Sequence, residues 1–180
     1  MRTRAVTLAG GEQFTVPQGV QRLDSRSTRG WQVRYQGTKY FPDGTQGPQK
    51  ALEAATRELM RRIATLPAPV VLKRAPSPRK ASGLPAGISG PLLVNRSDST
   101  RQAAVFAVLV PRFGQKNQLK RVHIGTPQTY TRARYRAALA KAIELRTDGM
   151  AQYEADATRA RRKDALAMKK ALRSAAASGG

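Results

Sequence analysis

The chain has 180 residues, with 33 Lys and Arg against 11 Asp and Glu, a formal charge of +22 and a sequence pI near 11.6. A field of that size repels the compact state and attracts polyanions, so the expected partner is nucleic acid: double-stranded DNA first, with RNA as the alternative. No run of about 18 apolar residues is present to span a bilayer, no signal-type apolar segment follows Met1, Cys is absent and His occurs once. Membrane insertion, a disulfide-stapled scaffold, thiol chemistry and zinc fingers are therefore excluded, and a cytoplasmic, nucleoid-associated location is expected.

Aromatic residues make up only 6%, and 15 Gly with 11 Pro punctuate the chain, which suits two modest cores joined by a linker. Residues 1–82 carry 15 basic and 5 acidic side chains and residues 83–180 carry 18 and 6, so both halves meet the polyanion. Residues 1–15 read as a flexible arm, disordered from Met1 to about Gly11. In a first domain over 16–66, Val20–Leu23 reads as a strand, Gly30–Gln36 alternates as a second, and Thr38–Phe41 follows as a third. Pro48 then opens a helix whose Leu52, Ala55, Leu59, Ile63 and Leu66 recur at three- and four-residue steps.

Residues 67–83 are rich in Pro and form a linker, in which Lys73, Arg74, Arg79 and Lys80 either follow a phosphate backbone or serve a solvated spacer. Val16-Pro17-Gln18-Gly19-Val20 then recurs as Leu84-Pro85-Ala86-Gly87-Ile88, opening a second domain over 84–148. Ala103–Val110 and Leu119–Ile124 read as its strands, and Thr129 or Thr131 caps a helix with Tyr135, Leu139, Ala142 and Ile143 on its buried stripe, ending near Gly149. Residues 149–180 are Ala-, Arg- and Lys-rich and read as a separate, partly exposed basic helix, with 178–180 disordered. The fold class expected is α+β: two domains, each a three-stranded antiparallel sheet with one helix, plus the basic helix.

The first copy's Gly19-Val20-x-Arg22, Gly30-Trp31-Gln32-Val33-Arg34-Tyr35 and helix with Ala51, Ala54 and Ala55 resembles the plant ethylene-responsive-factor (Apetala-type) DNA-binding domain and the similar amino-terminal domains of phage and transposon integrases. The second copy's Val122-His123-Ile124-Gly125-Thr126, Thr129, Tyr135 and Ala137-Ala138 look like that family's third strand, turn and Ala-rich helix. The resemblance covers roughly 16–66 and 84–146 through short motifs in repeated order. It implies a sheet whose outer face enters the major groove.

Alternation alone reaches a compatible geometry. Trp31, Val33 and Tyr35 share one face of their strand, suited to the core, while Gln32, Arg34 and Gln36 share the other. Arg and Gln make bidentate contacts to guanine and adenine in a groove wide enough for a β-ribbon. Arg22, Arg26, Arg29 and Lys39 fit phosphate or groove contacts beside them. In the second copy, Phe106, Val108 and Val110 take the face matched to Gln32, Arg34 and Gln36 and cannot read base edges; a second copy of the chain or the helix after Gly149 is expected to cover them. Arg112, Lys116, Lys120 and Arg121 form a basic rim there, and Arg159, Arg161, Arg162 and Lys163 hold phosphates from the last helix.

His123 has no carboxylate pair near it in sequence, the acids are scattered, and Gly10-Gly11 and Gly44–Gly47 lack the Lys-Ser/Thr ending of a phosphate loop. Tyr130 and Tyr135 read as helix packing and capping residues. No enzyme activity, metal or cofactor is expected. The reading is a DNA-binding protein acting as a phage or bacterial regulator or nucleoid organiser.

Overall fold

A computed structural model describes residues 2–95 and 102–178, with side chains up to residue 171. The disorder expected over 178–180 falls, at Gly179 and Gly180, outside the described residues. The chain is α+β, with three small antiparallel sheets and two long helices among the described residues. Its packing divides into two compact units, Met1–Pro69 with Ala157–Gly180, and Val70–Asp156.

The first unit opens with a hairpin where a flexible arm was expected. Strands β1 (Thr3–Thr7) and β2 (Gln13–Pro17) pair antiparallel, Val6 opposite Phe14 and Arg4 opposite Val16. The Leu8 N–H donates to the Glu12 carbonyl at 2.9 Å across a turn containing Gly10 and Gly11. Apolar residues alternating on both arms supply what the arm needs to order itself. Val16 is fully buried, Val6 and Phe14 pack on the core, and the Phe14 ring stands edge-on to Trp31 with centroids 5.8 Å apart.

Strands β3 (Val20–Asp24), β4 (Arg29–Arg34) and β5 (Thr38–Pro42) form a sheet in that order. Helix α1 (Gly47–Thr65) lies against one face, burying Ala51, Leu52, Ala55, Leu59 and Ile63 with Trp31, Val33 and Tyr35. Pro48 sits in its first turn, and the Trp31 indole N–H donates to the Pro48 carbonyl at 2.8 Å, tying the helix start to the central strand. Strand β4 ends at Arg34, two residues short of the expected Gln36. Gln36 has φ 48° and Gly37 φ 103°, so the chain reverses there through left-handed backbone and Gln36 leaves the strand face.

In the second unit, the segment expected as a free linker is bonded down. The Lys80 ammonium donates to the carbonyls of Pro85, at 2.8 Å, and of Ile88, and Arg74 pairs with Glu154. Strands β6 (Ile88–Asn95), β7 (Gln102–Val110) and β8 (Gln118–Gly125) form a sheet in that order. The helix that follows, α2 (Arg132–Ser178), starts on the Thr131 hydroxyl, which accepts from the Arg134 N–H at 3.2 Å.

Two expectations are corrected here. Phe106, Val108 and Val110 are not an uncovered face. They are buried with Ala104, Ile88, Val122, Ala138 and Ala142, and the Phe106 ring meets Tyr135 edge-on at 5.2 Å. The helix also does not break at Gly149, and α2 is one element. Gly149 lies where α2 presses on β7: a Cβ there would strike the Val110 side chain and lie 3.4 Å from Pro111 Cδ. It is a packing glycine, flanked by helix formers and followed by no proline. From Ala157 onward α2 belongs to the first unit, where Ala165 joins the core and the Thr158 hydroxyl accepts from the Ala68 N–H at 2.9 Å.

Arg146 is a buried cation, 8% exposed. Its guanidinium donates to the carbonyls of Leu109 and, at 3.4 Å, of Lys73, and burial pushes its pKa below the ordinary value.

Candidate nucleic-acid interface

Antiparallel pairing fixes which side chains share the outer face of the first sheet, the face away from α1. Gln21, Gln32 and Tyr40 form one cross-strand row, Leu23, Gly30 and Pro42 a second, and Arg34 with Thr38 a third. The Arg34 Nε–H donates to Gln32 Oε1 at 2.7 Å, holding the two side chains together and using one of the five guanidinium donors. Tyr40 lies across Gly30 to donate its hydroxyl to the Arg29 carbonyl at 2.8 Å; a Cβ on Gly30 would approach the Tyr40 hydroxyl to 2.7 Å and Pro42 Cα to 2.9 Å. The sequence pattern therefore gives an outer face with the polar Gln21, Gln32, Tyr40, Arg34 and Thr38 toward the end that carries the Arg–Gln pair, and Leu23, Gly30 and Pro42 toward the other.

Of the three residues expected on this face, Gln32 and Arg34 are on it and Gln36 is not; the four cations expected beside it, Arg22, Arg26, Arg29 and Lys39, are spread over other positions. Arg22 pairs across the strands with Trp31 and so points to the α1 side. There it makes two bonds to the Asp43 carboxylate at 2.7 and 2.8 Å and stacks 5.1 Å from the Trp31 ring centroid. The bonds to Asp43 raise its pKa and outweigh the opposing effect of burial. A guanidinium so committed is a clasp for the loop before α1, and it is withdrawn from the candidate contacts. Lys39 pairs with Val33, also on the α1 side, with its ammonium 5.4 Å from the Phe41 ring centroid. Arg29 pairs with Asp24, 3.7 Å apart, at the start of the central strand β4. Arg26 is exposed in the β3–β4 turn, and Gln36 donates to the Pro67 carbonyl at 3.4 Å.

A cleft beside the outer face was not anticipated. Arg2, Thr3 and Arg4 of β1 and its lead-in, Gln18 and Gly19, and Val20, Gln21 and Arg34 line it. Three guanidiniums thus border one depression with no carboxylate among the lining residues. The hairpin places them: the Gln18 N–H donates to the Arg2 carbonyl at 2.9 Å, the Arg34 N–H to the Gly19 carbonyl at 2.8 Å, and Arg4 Nη2 to the Val20 carbonyl at 3.5 Å. The available signal was Arg4-x-Val6 facing Phe14-x-Val16 across Gly10-Gly11, a hairpin pattern.

The remaining candidates are dispersed. In the first unit, Arg161 Nη2 donates to the Gln18 carbonyl at 3.2 Å and Arg162 Nε to the Ile63 carbonyl at 3.3 Å, the latter capping the last turn of α1. Arg159 and Lys163 are exposed on the same helix. In the second unit Lys73 and Arg79 are exposed, whereas Arg74 and Lys80 are held by Glu154 and by backbone carbonyls. Arg112 and Lys116 are exposed in the β7–β8 turn. Lys120 pairs with Val108 and Arg121 with Ala107, so these two leave β8 on opposite sides and make no single rim.

Among the described residues no three His, Asp or Glu side chains gather as a metal site, and no helix is long and apolar enough to cross a membrane. No protein-family model, curated protein or solved structure matches this chain.

Proposed function

We propose that the chain is a non-enzymatic DNA-binding protein, a phage or bacterial regulator or nucleoid organiser working in the cytoplasm, which lays the outer face of its first sheet in the major groove. One observation carries the reading: Gln32 and Arg34 sit bonded to each other on an exposed sheet face beside a cleft bordered by Arg2 and Arg4, with no acid lining it. Arg and Gln are the side chains that read guanine and adenine edges bidentately, and guanidiniums at the groove's margin hold phosphates. The charge of +22 supplies attraction at a distance. In finer terms, we read each unit as a related sheet-plus-helix domain of the ethylene-responsive-factor or integrase amino-terminal type, with base readout confined to the first.

Gel-shift titrations with duplex DNA, structured RNA and single strands, each at two salt concentrations, test the reading. About six to ten phosphate contacts on duplex DNA would lower affinity by roughly a thousandfold or more between about 50 and 200 mM salt. A flat salt response removes the nucleic-acid reading, and tighter binding to structured RNA than to duplex replaces DNA with RNA.

A further inference from the structure

The second sheet is apolar on the face away from α2 as well as on the face against it. In β7, Phe106, Val108 and Val110 are buried with Ala138 and Ala142 of α2, so Val105, Ala107 and Leu109, which alternate with them, leave the strand on the other side. Register places their neighbours: Leu92 and His123 flank Val105, Ser89 and Arg121 flank Ala107, and Leu119 pairs with Leu109. Val105 is buried, while Leu92, Leu109 and Leu119 are 43%, 39% and 60% exposed, and Arg121 and His123 are exposed beside them. Single leucines scattered over a surface are ordinary, whereas several on one face, rimmed by polar side chains, mark a place of association.

Shape and charge together select what docks there. Successive outward residues of β7 are about 7 Å apart, and a helix laid along the strand brings a side chain at every fourth position, about 6 Å apart, against successive rows. The small Ser89 and Ala107 in the middle row leave room for one of them. Strands β6, β7 and β8 contain no Asp or Glu, and the turn at 111–117 adds Arg112 and Lys116 at the Leu109 and Leu119 end. A second copy carries the same +22 and brings Arg121 toward like charge. Duplex DNA satisfies Arg121 but sets the leucines against a polar backbone. A partner with both carboxylates and apolar side chains satisfies all of them.

We infer that this face docks an acidic amphipathic helix of another protein, with the helix's apolar stripe on Leu92, Leu109 and Leu119 and a carboxylate on Arg121. An exposed ion pair contributes less than the apolar contact, so the leucines supply affinity and Arg121 selects the sign of the partner's charge. Docking there does not depend on whether the first sheet binds DNA.

The probe is a fluorescein-labelled helical peptide of roughly 18 residues with leucines at three- and four-residue steps flanked by Glu, and its control has the same composition with the leucines scattered. Anisotropy is measured on the full chain in about 150 mM salt, where a Debye length of about 8 Å limits attraction by distant charges. The striped peptide binds more tightly than the scattered one. Leu109→Thr/Leu119→Thr, which keeps strand-forming side chains, weakens it about tenfold or more; thermal melts check folding, and Leu119→Thr alone is the milder form. Arg121→Gln weakens it about two- to fivefold, and Arg136→Gln, at an exposed position of α2 across the sheet, does so by less. Equal binding of the two peptides, no binding of either, or wild-type affinity in the leucine variants overturns the docking face. An Arg121→Gln effect no larger than that of Arg136→Gln overturns its preference for acid. Light scattering and duplex titration of the same variants address the other occupants. A wild-type dimer that the leucine variant makes monomeric assigns the face to a second copy, and a leucine variant that loses duplex affinity assigns it to DNA; either overturns the acidic helix.

Discussion

Leu109 occupies in the second sheet the place that Arg34 occupies in the first. Each donates its backbone N–H at 2.8 Å to the carbonyl of a left-handed glycine, Gly87 and Gly19 respectively, and each follows a buried valine, Val108 and Val33. The pairing of Ile88 with Val108 repeats that of Val20 with Val33. This register matches Phe106 to Trp31 and Ala107 to Gln32, one residue away from the match expected from sequence. A one-residue offset exchanges the two faces of a strand. Phe106, Val108 and Val110 thereby become the core, and Ala107 and Leu109 are the positions that face outward in place of Gln32 and Arg34.

The first prediction uses that pair. Arg34→Ala relaxes sequence preference by roughly 1–3 kcal/mol at one base pair, the worth of a bidentate contact. Leu109→Ala leaves the preference unchanged. Competition binding against a set of single-base-pair substitutions measures both. An Arg34→Ala protein with intact preference would show that the first sheet's outer face is not the reader.

A second prediction concerns acid. Glu58, its side chain 10% exposed, accepts from Arg61 at 2.8 and 2.9 Å and from Arg62 at 2.8 Å. These bonds, Arg61 first, hold its pKa at about 2, below the ordinary 4.5. A carboxylate whose pKa is lower folded than unfolded stabilises the fold above the unfolded value and loses that contribution as pH falls through the folded value. The expected loss therefore runs from about pH 5 down to about pH 2. Thermal melts across that range show a falling midpoint in the wild type, and Glu58→Gln flattens the fall while lowering the midpoint at pH 7.

Much of the fold was legible because periodicity carries it. The α1 stripe of Leu52, Ala55, Leu59 and Ile63 and the alternation of Trp31 and Val33 against Gln32 and Arg34 correspond to the observed burial. The residue register between strands was not legible, and it decides which neighbours share a face. Arg22 and Lys39 looked like groove contacts because of their charge, yet their cross-strand partners are Trp31 and Val33, which turns both toward α1. Glycine was ambiguous for a related reason. Gly149 reads as a helix stop in one dimension, while in three it makes room for Val110.

The third prediction compares the two repeat glycines. At Gly19, with φ 109°, an added Cβ lies 3.1 Å from the Leu59 Cδ1, the end of a flexible side chain. At Gly87, with φ 79°, it lies 2.7 Å from Arg146 Nε and 2.9 Å from Cζ. Arg146 cannot yield as Leu59 can, because moving it breaks its bonds to the Leu109 and Lys73 carbonyls and strands a buried charge. Gly19→Ala costs about 1–2 kcal/mol, mainly from its positive φ, whereas Gly87→Ala costs about 3 kcal/mol or more. Urea unfolding of the two variants measures the difference, and equal costs would mean that Arg146 is free to move.

The last prediction sets helix propensity against packing at Gly149. In an exposed helix interior, Gly→Ala stabilises by about 1 kcal/mol because alanine restricts the unfolded chain and shields the backbone. Here the new methyl group would strike the Val110 side chain, and Val110 is packed in a core with Phe106, Val108 and Val122. Overpacking of a close contact costs about 1–3 kcal/mol, which exceeds the propensity gain. Gly149→Ala is therefore destabilising by roughly 1–2 kcal/mol. Val110→Ala, which removes the struck group, costs stability alone as any core truncation does. Combined with Gly149→Ala it costs less than the sum, because alanine at 110 leaves space for the added methyl and the propensity gain is recovered. Urea unfolding of the two single variants and the double closes the cycle. Additive costs, or a Gly149→Ala protein more stable than wild type, would show that α2 can shift away from β7 at this point.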